Sequence, residues 1–274
     1  MTDLLNYTGK IVVVTGAASG MGKATAELLA GQGATVYALD INEPKEPVGT
    51  FVKINLGDRI SIDEALAALP AKVDAVFSCA GIAGEIYSGR NFSELDVLTI
   101  NFIGGRHLIE GLIPRLPQGG AVAVIASTGG MRWQQRAEKL LPFVTTAGFE
   151  EAQQWFKENR DELFADFPGV NVPYMVSKEA LIVWMKHRAY QLSSQGIRLN
   201  AVSPASTATP MSDDFTLNAA GLKGSHISLI GAQATSEDQA KALVFLNSDL
   251  ASYVSGQDLQ VDYAFTVKGL HGLV

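Results

Sequence analysis

A tyrosine and a lysine stand four residues apart in Tyr174-Met175-Val176-Ser177-Lys178. At the start of one helix, that spacing puts both side chains on the same face. A phenol titrates near pH 10 and carries protons poorly at neutral pH. A neighbouring ammonium stabilises the phenolate and draws its pKa toward the working range. The spacing alone is common, and an exposed helix pair reads the same way. Its weight comes from what accompanies it. Ser127, with Thr128 as a rival hydroxyl beside it, closes the apolar run 121–126, and Asn101 sits within a helical stretch. A helix interior disfavours asparagine unless something there uses it.

A second chemistry lies near the N-terminus. Thr15-Gly16-Ala17-Ala18-Ser19-Gly20-Met21-Gly22 joins a β-branched run to a stretch of helix formers. Glycines at such a turn let the backbone approach a pyrophosphate, whose charge the helix N-terminus favours. Asp40 ends the next strand-like run, where a carboxylate accepts from ribose hydroxyls and repels a 2′-phosphate. Ile41 and Asn42 beside it supply no cation for such a phosphate. The expected cofactor is NAD rather than NADP.

The elements that must position these groups alternate along the chain. Strands are predicted at 11–14, 35–39, 51–54, 73–78, 121–125, 198–202 and 259–261, and helices at 21–30, 60–69, 95–116, 178–195 and 236–246. Gly31 is read as the stop of the first helix and Pro70 as the stop of the second. This alternation gives an α/β fold, a single Rossmann-type doubly wound parallel sheet over residues 1–274. Two regions interrupt the rhythm, at about 131–172 and about 205–234. The first is a helical insertion between the fifth strand and the tyrosine helix. There Phe149, Phe156 and Leu163 recur at sevens with charges between them, an amphipathic stripe, and Trp133, Leu140 and Leu141 mark a shorter helix before it. The insertion either roofs the active site or sits at a subunit interface. The second region carries Met211, Phe215, Leu217, Leu222 and Ile227, an apolar content that favours a hydrophobic alcohol or ketone.

Thr15 to Gly22, Ala80-Gly81, Asn101, Ser127, Tyr174 and Lys178 follow in the order and setting of the short-chain dehydrogenase/reductase family, which the chain resembles from about Ile11 to about Asp262. The resemblance implies that Tyr174 is the acid/base and that Lys178 lowers its pKa and holds the nicotinamide ribose. It implies that Ser127 orients the substrate oxygen and that Asn101 supports a water-linked proton path to the lysine. It places the cofactor against Gly16, Ser19, Gly20, Met21, Gly22, Asp40, Ile41, Asn55, Leu56, Ala80, Gly81, Tyr174, Lys178, Pro204, Thr207 and Thr209. Departures are Asn55 for the usual aspartate, Ser78-Cys79 for the usual asparagines, Ala205 after Pro204 for glycine, and Tyr263-Ala264 for a glycine pair. The long insert and the Val-Pro-Tyr context are similar to the bacterial 3α-hydroxysteroid dehydrogenase/carbonyl reductase branch. The resemblance also makes 95–116 and 178–195 subunit-pairing helices, hence a homo-oligomer, dimer or tetramer.

Composition agrees with this class. The chain has 274 residues, 47% hydrophobic and 18% charged, enough to bury a large core. A net charge of −7 argues against a nucleic-acid partner. No signal-peptide pattern and no run of about 20 apolar residues is present, so a cytoplasmic protein off the membrane is expected. One cysteine excludes an intrachain disulfide, and the four histidines lack metal-ligand spacing. The expected activity is NAD-dependent interconversion of a secondary alcohol and a ketone, on a bulky lipophilic substrate such as a hydroxysteroid, terpenoid or aromatic alcohol. Alternatives are a cyclic diol, sugar or hydroxyacyl substrate, or a non-catalytic dinucleotide sensor.

Overall fold

The computed structural model describes residues 4–167, 169–218 and 231–269. Leu222, His226, Ile227 and His271 lie outside the described residues. Seven parallel strands form the central sheet: β1 (Ile11–Thr15), β2 (Thr35–Asp40), β3 (Thr50–Lys53), β4 (Ala75–Ser78), β5 (Ala121–Ile125), β6 (Arg198–Pro204) and β7 (Asp258–Val261). Their order is β3-β2-β1-β4-β5-β6-β7. Val12, Val13 and Val14 of β1 are all fully buried, and β5 is buried throughout, because helices cover both faces. Consecutive crossovers run in opposite directions from β1, so a crevice opens beyond Thr15 and Ser78, where β1 and β4 end side by side.

The covering helices are α1 (Gly20–Gly31) and α2 (Arg59–Ala68), then α3 (Glu94–Leu98) and α4 (Gly104–Leu112), then α5 (Trp133–Val144) and α6 (Phe149–Phe164) of the insert, α7 (Val172–Leu192), α8 (Ser212–Asn218) and α9 (Ser236–Asn247). α2 starts where the Asp58 side chain accepts from the Ile60 N–H and ends before Pro70. α1 runs through Gly31, and the left-handed residue that follows it is Gly33 (φ 81°), two positions later than the sequence suggests.

The single helix expected over 95–116 is four pieces. A capping box at Ser93 and Asp96 starts α3. A π-helical turn, Thr99–Ile103, follows, then α4, and a 3-10 turn closes at Arg115. The extra residue in the widened turn brings Asn101 into a buried position.

The insert packs on α4 and α7 of its own chain. Phe143 lies 5.2 Å from Phe102 and stacks on Trp155 at 5.3 Å. Arg106 of α4 donates to the carbonyl oxygens of Val144 and Gly148 and to Thr146. As a result every residue of α7 from Val176 to Met185 is buried, and the helix has no solvent face over this stretch. The surface expected to pair subunits is therefore covered there in cis. The apolar cluster around Tyr174 contains no residue of α5 or α6, so the insert lies beside α7 rather than over the Tyr174 phenol. No helix of the described residues is long and apolar enough to cross a membrane.

Candidate active site

The chain leaves β5 into an extended Ser127 (φ −173°), whose Oγ accepts the Gly129 N–H at 3.0 Å. That bond leaves the serine proton for another acceptor. Tyr174, in the first turn of α7 beside Pro173, lies next to Ser127: a Cβ at Gly129 would fall 3.3 Å from Ser127 Oγ and 3.4 Å from the Tyr174 ring, and of the two adjacent hydroxyls it is Ser127 that draws the phenol's pKa down. Lys178 follows one turn later, with Nζ donating to the Ile125 carbonyl at 3.0 Å and lying 5.6 Å from the Tyr174 ring centre. Burial pushes the Tyr174 phenol up to about 12, against the pull of the Ser127 hydroxyl. Burial likewise pushes Lys178 down to about 8. Both shifts favour neutral forms. The phenol therefore shifts opposite to the direction expected from sequence, with burial the largest cause and Ser127, not the lysine, pulling against it.

Asn101 is committed to its neighbours. Its Oδ1 accepts the Ile82 N–H at 2.8 Å, and Nδ2 donates to the Ile82 carbonyl and to Ser177. The amide thereby ties the loop after β4 to α7. A Cβ at Gly81 would fall 3.1 Å from Asn101 Oδ1 and 3.7 Å from Lys178 Nζ, so Ala80-Gly81 runs directly against this group.

On the other side of the crevice, Gly16 and Gly20 have positive φ, and a Cβ at Gly22 would lie 2.2 Å from the Gly16 carbonyl oxygen. Thr15, which sequence reading included only as the head of the motif, fixes the approach: its Oγ1 accepts from the N–H groups of Cys79 and Ala80. Ser19 precedes α1 without a side-chain cap, and the first turn, Gly20-Met21-Gly22, holds no acid. That N-terminus suits an anion. Asp40 accepts from Ala18 N–H and Asn42 N–H, both at 3.0 Å, one on each oxygen, and each oxygen keeps a lone pair. Ile41 beside it is exposed.

The remaining expected contacts divide. Asn55 folds its own turn, accepting from Gly57 N–H, while Leu56 is buried in the main core. After Pro204, Thr207 pairs in a short parallel ladder with Ala234, and the Thr209 methyl sits 3.5 Å from where a Gly20 Cβ would be. The loop after β6 therefore returns to the glycine turn. Its Phe215, in α8, meets Tyr174 edge-on at 5.0 Å, whereas Leu217 points to solvent. Ile82, Val97, Tyr87, Phe92 and Met175 complete an apolar surround of the phenol.

Two family models match the chain. One described as short chain dehydrogenase covers residues 10–138, and one described as enoyl-(acyl carrier protein) reductase covers residues 164–266. The (+)-borneol dehydrogenase 1 of Salvia officinalis is 30% identical, over 94% of each chain. The chain belongs to the short-chain dehydrogenase/reductase family. It is an oxidoreductase of that family, whose cofactor is NAD(P). A coniferyl-alcohol dehydrogenase of a Pseudomonas strain is 29% identical over 94% of this chain and 97% of its own. The 3α-hydroxysteroid dehydrogenase of Pseudomonas sp. B-0831, solved with NADH, superposes with a TM-score of 0.75 at 25% identity, covering 95% of this chain and 99% of that one. The two family matches flank residues 139–163, the body of the insert.

Measured against the short-chain dehydrogenase/reductase pattern, the departures differ in consequence. Ala205 is outside the left-handed region, so its Cβ strains nothing. Tyr263 and Ala264, where a glycine pair is usual, do adopt left-handed backbone (φ 51° and 63°). Asp262 holds that turn, its Oδ2 accepting from both the N–H and the hydroxyl of Thr266.

Proposed function

We propose that the protein is an NAD-dependent dehydrogenase and carbonyl reductase acting on a secondary alcohol or ketone with a bulky lipophilic frame. The observation that carries this reading is the placement of Ser127 Oγ beside the Tyr174 ring, set among apolar side chains with Lys178 one turn away. A substrate oxygen placed between the two hydroxyls is oriented by Ser127 and exchanges its proton with the Tyr174 oxygen. Lys178, fixed by Ile125, supplies positive charge behind the phenol, and Asn101 keeps the loop carrying Gly81 against it. Bound on the glycine turn, NAD supplies the hydride acceptor or donor. Residues 16 and 19–22 would hold its pyrophosphate, and Asp40 its adenosine ribose; the bare helix N-terminus and the carboxylate with spare lone pairs fit those groups.

The substrate class rests on Phe215, Tyr87 and Phe92 around the phenol. It is consistent with relatives named for borneol and a 3α-hydroxysteroid, and one named for coniferyl alcohol, a primary alcohol, shares the lipophilic frame alone. The test follows reduced nicotinamide by absorbance, with NAD or NADP, on borneol, a 3α-hydroxysteroid, coniferyl alcohol and sorbitol. Turnover with NAD on a lipophilic alcohol, lost in Tyr174→Phe, supports the reading. Preference for sorbitol overturns the substrate class, and an active Tyr174→Phe overturns the site.

A further inference from the structure

The apolar surround of Tyr174 is built from two segments that side chains hold together. After Gly81 the chain forms a strap, residues 83–92, that folds back as a hairpin with Ile86 opposite Asn91 and Tyr87 opposite Arg90. Its two turn residues, Ser88 (φ 49°) and Gly89 (φ 72°), are both left-handed, as the tight turn that matches strand twist requires. A two-stranded hairpin this short does not hold its own place. Side chains from elsewhere do. Asn218 of α8 meets Ile86 as another strand would: its Oδ1 accepts the Ile86 N–H at 3.0 Å, and its Nδ2 donates to the Ile86 carbonyl at 2.7 Å. One turn earlier, the buried Asp214 accepts the Ser88 N–H at 3.1 Å. At the base, Asn171 donates to the Ala83 carbonyl at 2.7 Å. A Cβ on Gly84 would lie 2.3 Å from Asn171 Oδ1 and 2.7 Å from Asn218 Oδ1, so the strap passes between them with no room to spare.

The latch joins the two walls of the cleft. Tyr87 and Phe92 come from the strap and Phe215 from α8, and all three pack in the cluster containing Tyr174. We infer that Asn218 and Asp214 are positioning residues that fasten the strap to α8, and so set how tightly a lipophilic alcohol is held, without touching the reacting oxygen. This rests on the reading of Tyr174 as the reaction site. With the latch broken, the strap moves away and a large substrate loses one wall, whereas a small one loses nothing. The proton-handling groups, on β5 and α7, stay where they are.

The experiment uses the full chain and whichever of borneol and the 3α-hydroxysteroid is oxidised faster, beside 2-propanol. Asn218→Ala raises KM for the large alcohol about tenfold and leaves KM for 2-propanol, KM for NAD and the pH profile in place. Hydrogen exchange at the Ile86 amide quickens in the same variant. Asp214→Leu shifts KM in the same sense, and Asp214→Asn, which keeps the accepting oxygen, recovers most of it. An unchanged KM for the large alcohol, despite rapid Ile86 exchange, overturns the latch. So does an equal loss of kcat on both alcohols, which marks general damage. If Tyr174→Phe is inactive while Asn218→Ala behaves as wild type, the latch alone fails; if Tyr174→Phe is active, the reading of the site fails with it.

Discussion

Arg136 Nε donates to Glu179 Oε2 across 2.7 Å, with both side chains buried and Glu179 next in sequence to Lys178. Another nitrogen of the same guanidinium donates to the Leu163 carbonyl, so one side chain joins α5, the end of α6 and α7. The insert is therefore tied to the residue that follows Lys178. Above about pH 7, where Glu179 is ionised, removing the cation leaves a carboxylate in the interior without its partner, a change that costs about 3–5 kcal/mol. Arg136→Met is expected to lose about that much in urea unfolding, and Arg136→Met with Glu179→Leu to regain most of it. Equal losses in the single and double variants overturn this account.

The same carboxyl gives a pH signature. Burial raises Glu179 to about 7 in spite of Arg136, and its Oε1 has no hydrogen-bond partner. Between about 4.5 and 7 the folded chain keeps a proton that the unfolded chain releases. Its contribution is thus full below that window and is lost as pH rises through it. Lys178, lowered to about 8, works in a separate window, adding stability as pH rises from about 8 toward its ordinary value. Glu179→Gln lacks the first slope. Unfolding midpoints measured from pH 4.5 to 7.5 should move in the variant's favour by on the order of 2 kcal/mol. Parallel curves for the two proteins would count against it.

How much of this was legible in sequence depends on the range of the interaction that decides it. β1 and β5 were readable because their runs at 11–14 and 121–125 are apolar at every position, and α2 because Asp58 and Pro70 bracket it. Tyr174, Lys178 and Ser127 were readable because local spacing and strand ends position them. The π turn at Asn101 was not, since an extra residue in a helical ladder leaves the apolar pattern almost unchanged. The strap hairpin had a signal in Ser88-Gly89, but its paired strands are two residues each, too short for periodicity to register. Arg136–Glu179 spans 43 residues and Asn218–Ile86 spans 132, and no local pattern announces either pair. The direction of the Tyr174 shift depends on burial, which is set only when α8 and the strap close around the ring.

Tyr263 and Ala264 carry strain that glycine would relieve. A left-handed L-residue costs roughly 1–2 kcal/mol, and glycine returns about 0.4–1 kcal/mol of that as unfolded-state entropy. Ala264→Gly is therefore expected to raise the melting temperature by about 1–3 °C. Thermal unfolding followed by fluorescence checks this, and a lower melting temperature contradicts it.

Cofactor choice is expected to turn on Asp40 and Ile41. Asp40→Ser removes the charge that repels a 2′-phosphate, and Ile41→Arg supplies the cation that the position lacks. The double variant should shift the ratio of kcat/KM for NAD over NADP by at least about tenfold toward NADP. A ratio that stays where it was removes Asp40 from the ribose site.

Ser127 Oγ and the Tyr174 ring lie side by side against Gly129, so their substitutions should not add. Tyr174→Phe removes the phenol oxygen proposed as the proton donor and acceptor, and kcat is expected to fall about 10³-fold or more. Ser127→Ala leaves the phenol but loses its orienting partner, with an expected loss of about 10²-fold. If both act on one substrate oxygen, the double variant falls little below Tyr174→Phe alone, because there is no positioned acid left for Ser127 to assist. Dinucleotide affinity, read by fluorescence titration, should be similar in all three, since the glycine turn and Asp40 lie on the other side of the crevice. Multiplicative losses in kcat would mean that the two hydroxyls serve different steps, and Ser127 would then have to be assigned to binding rather than to the proton transfer.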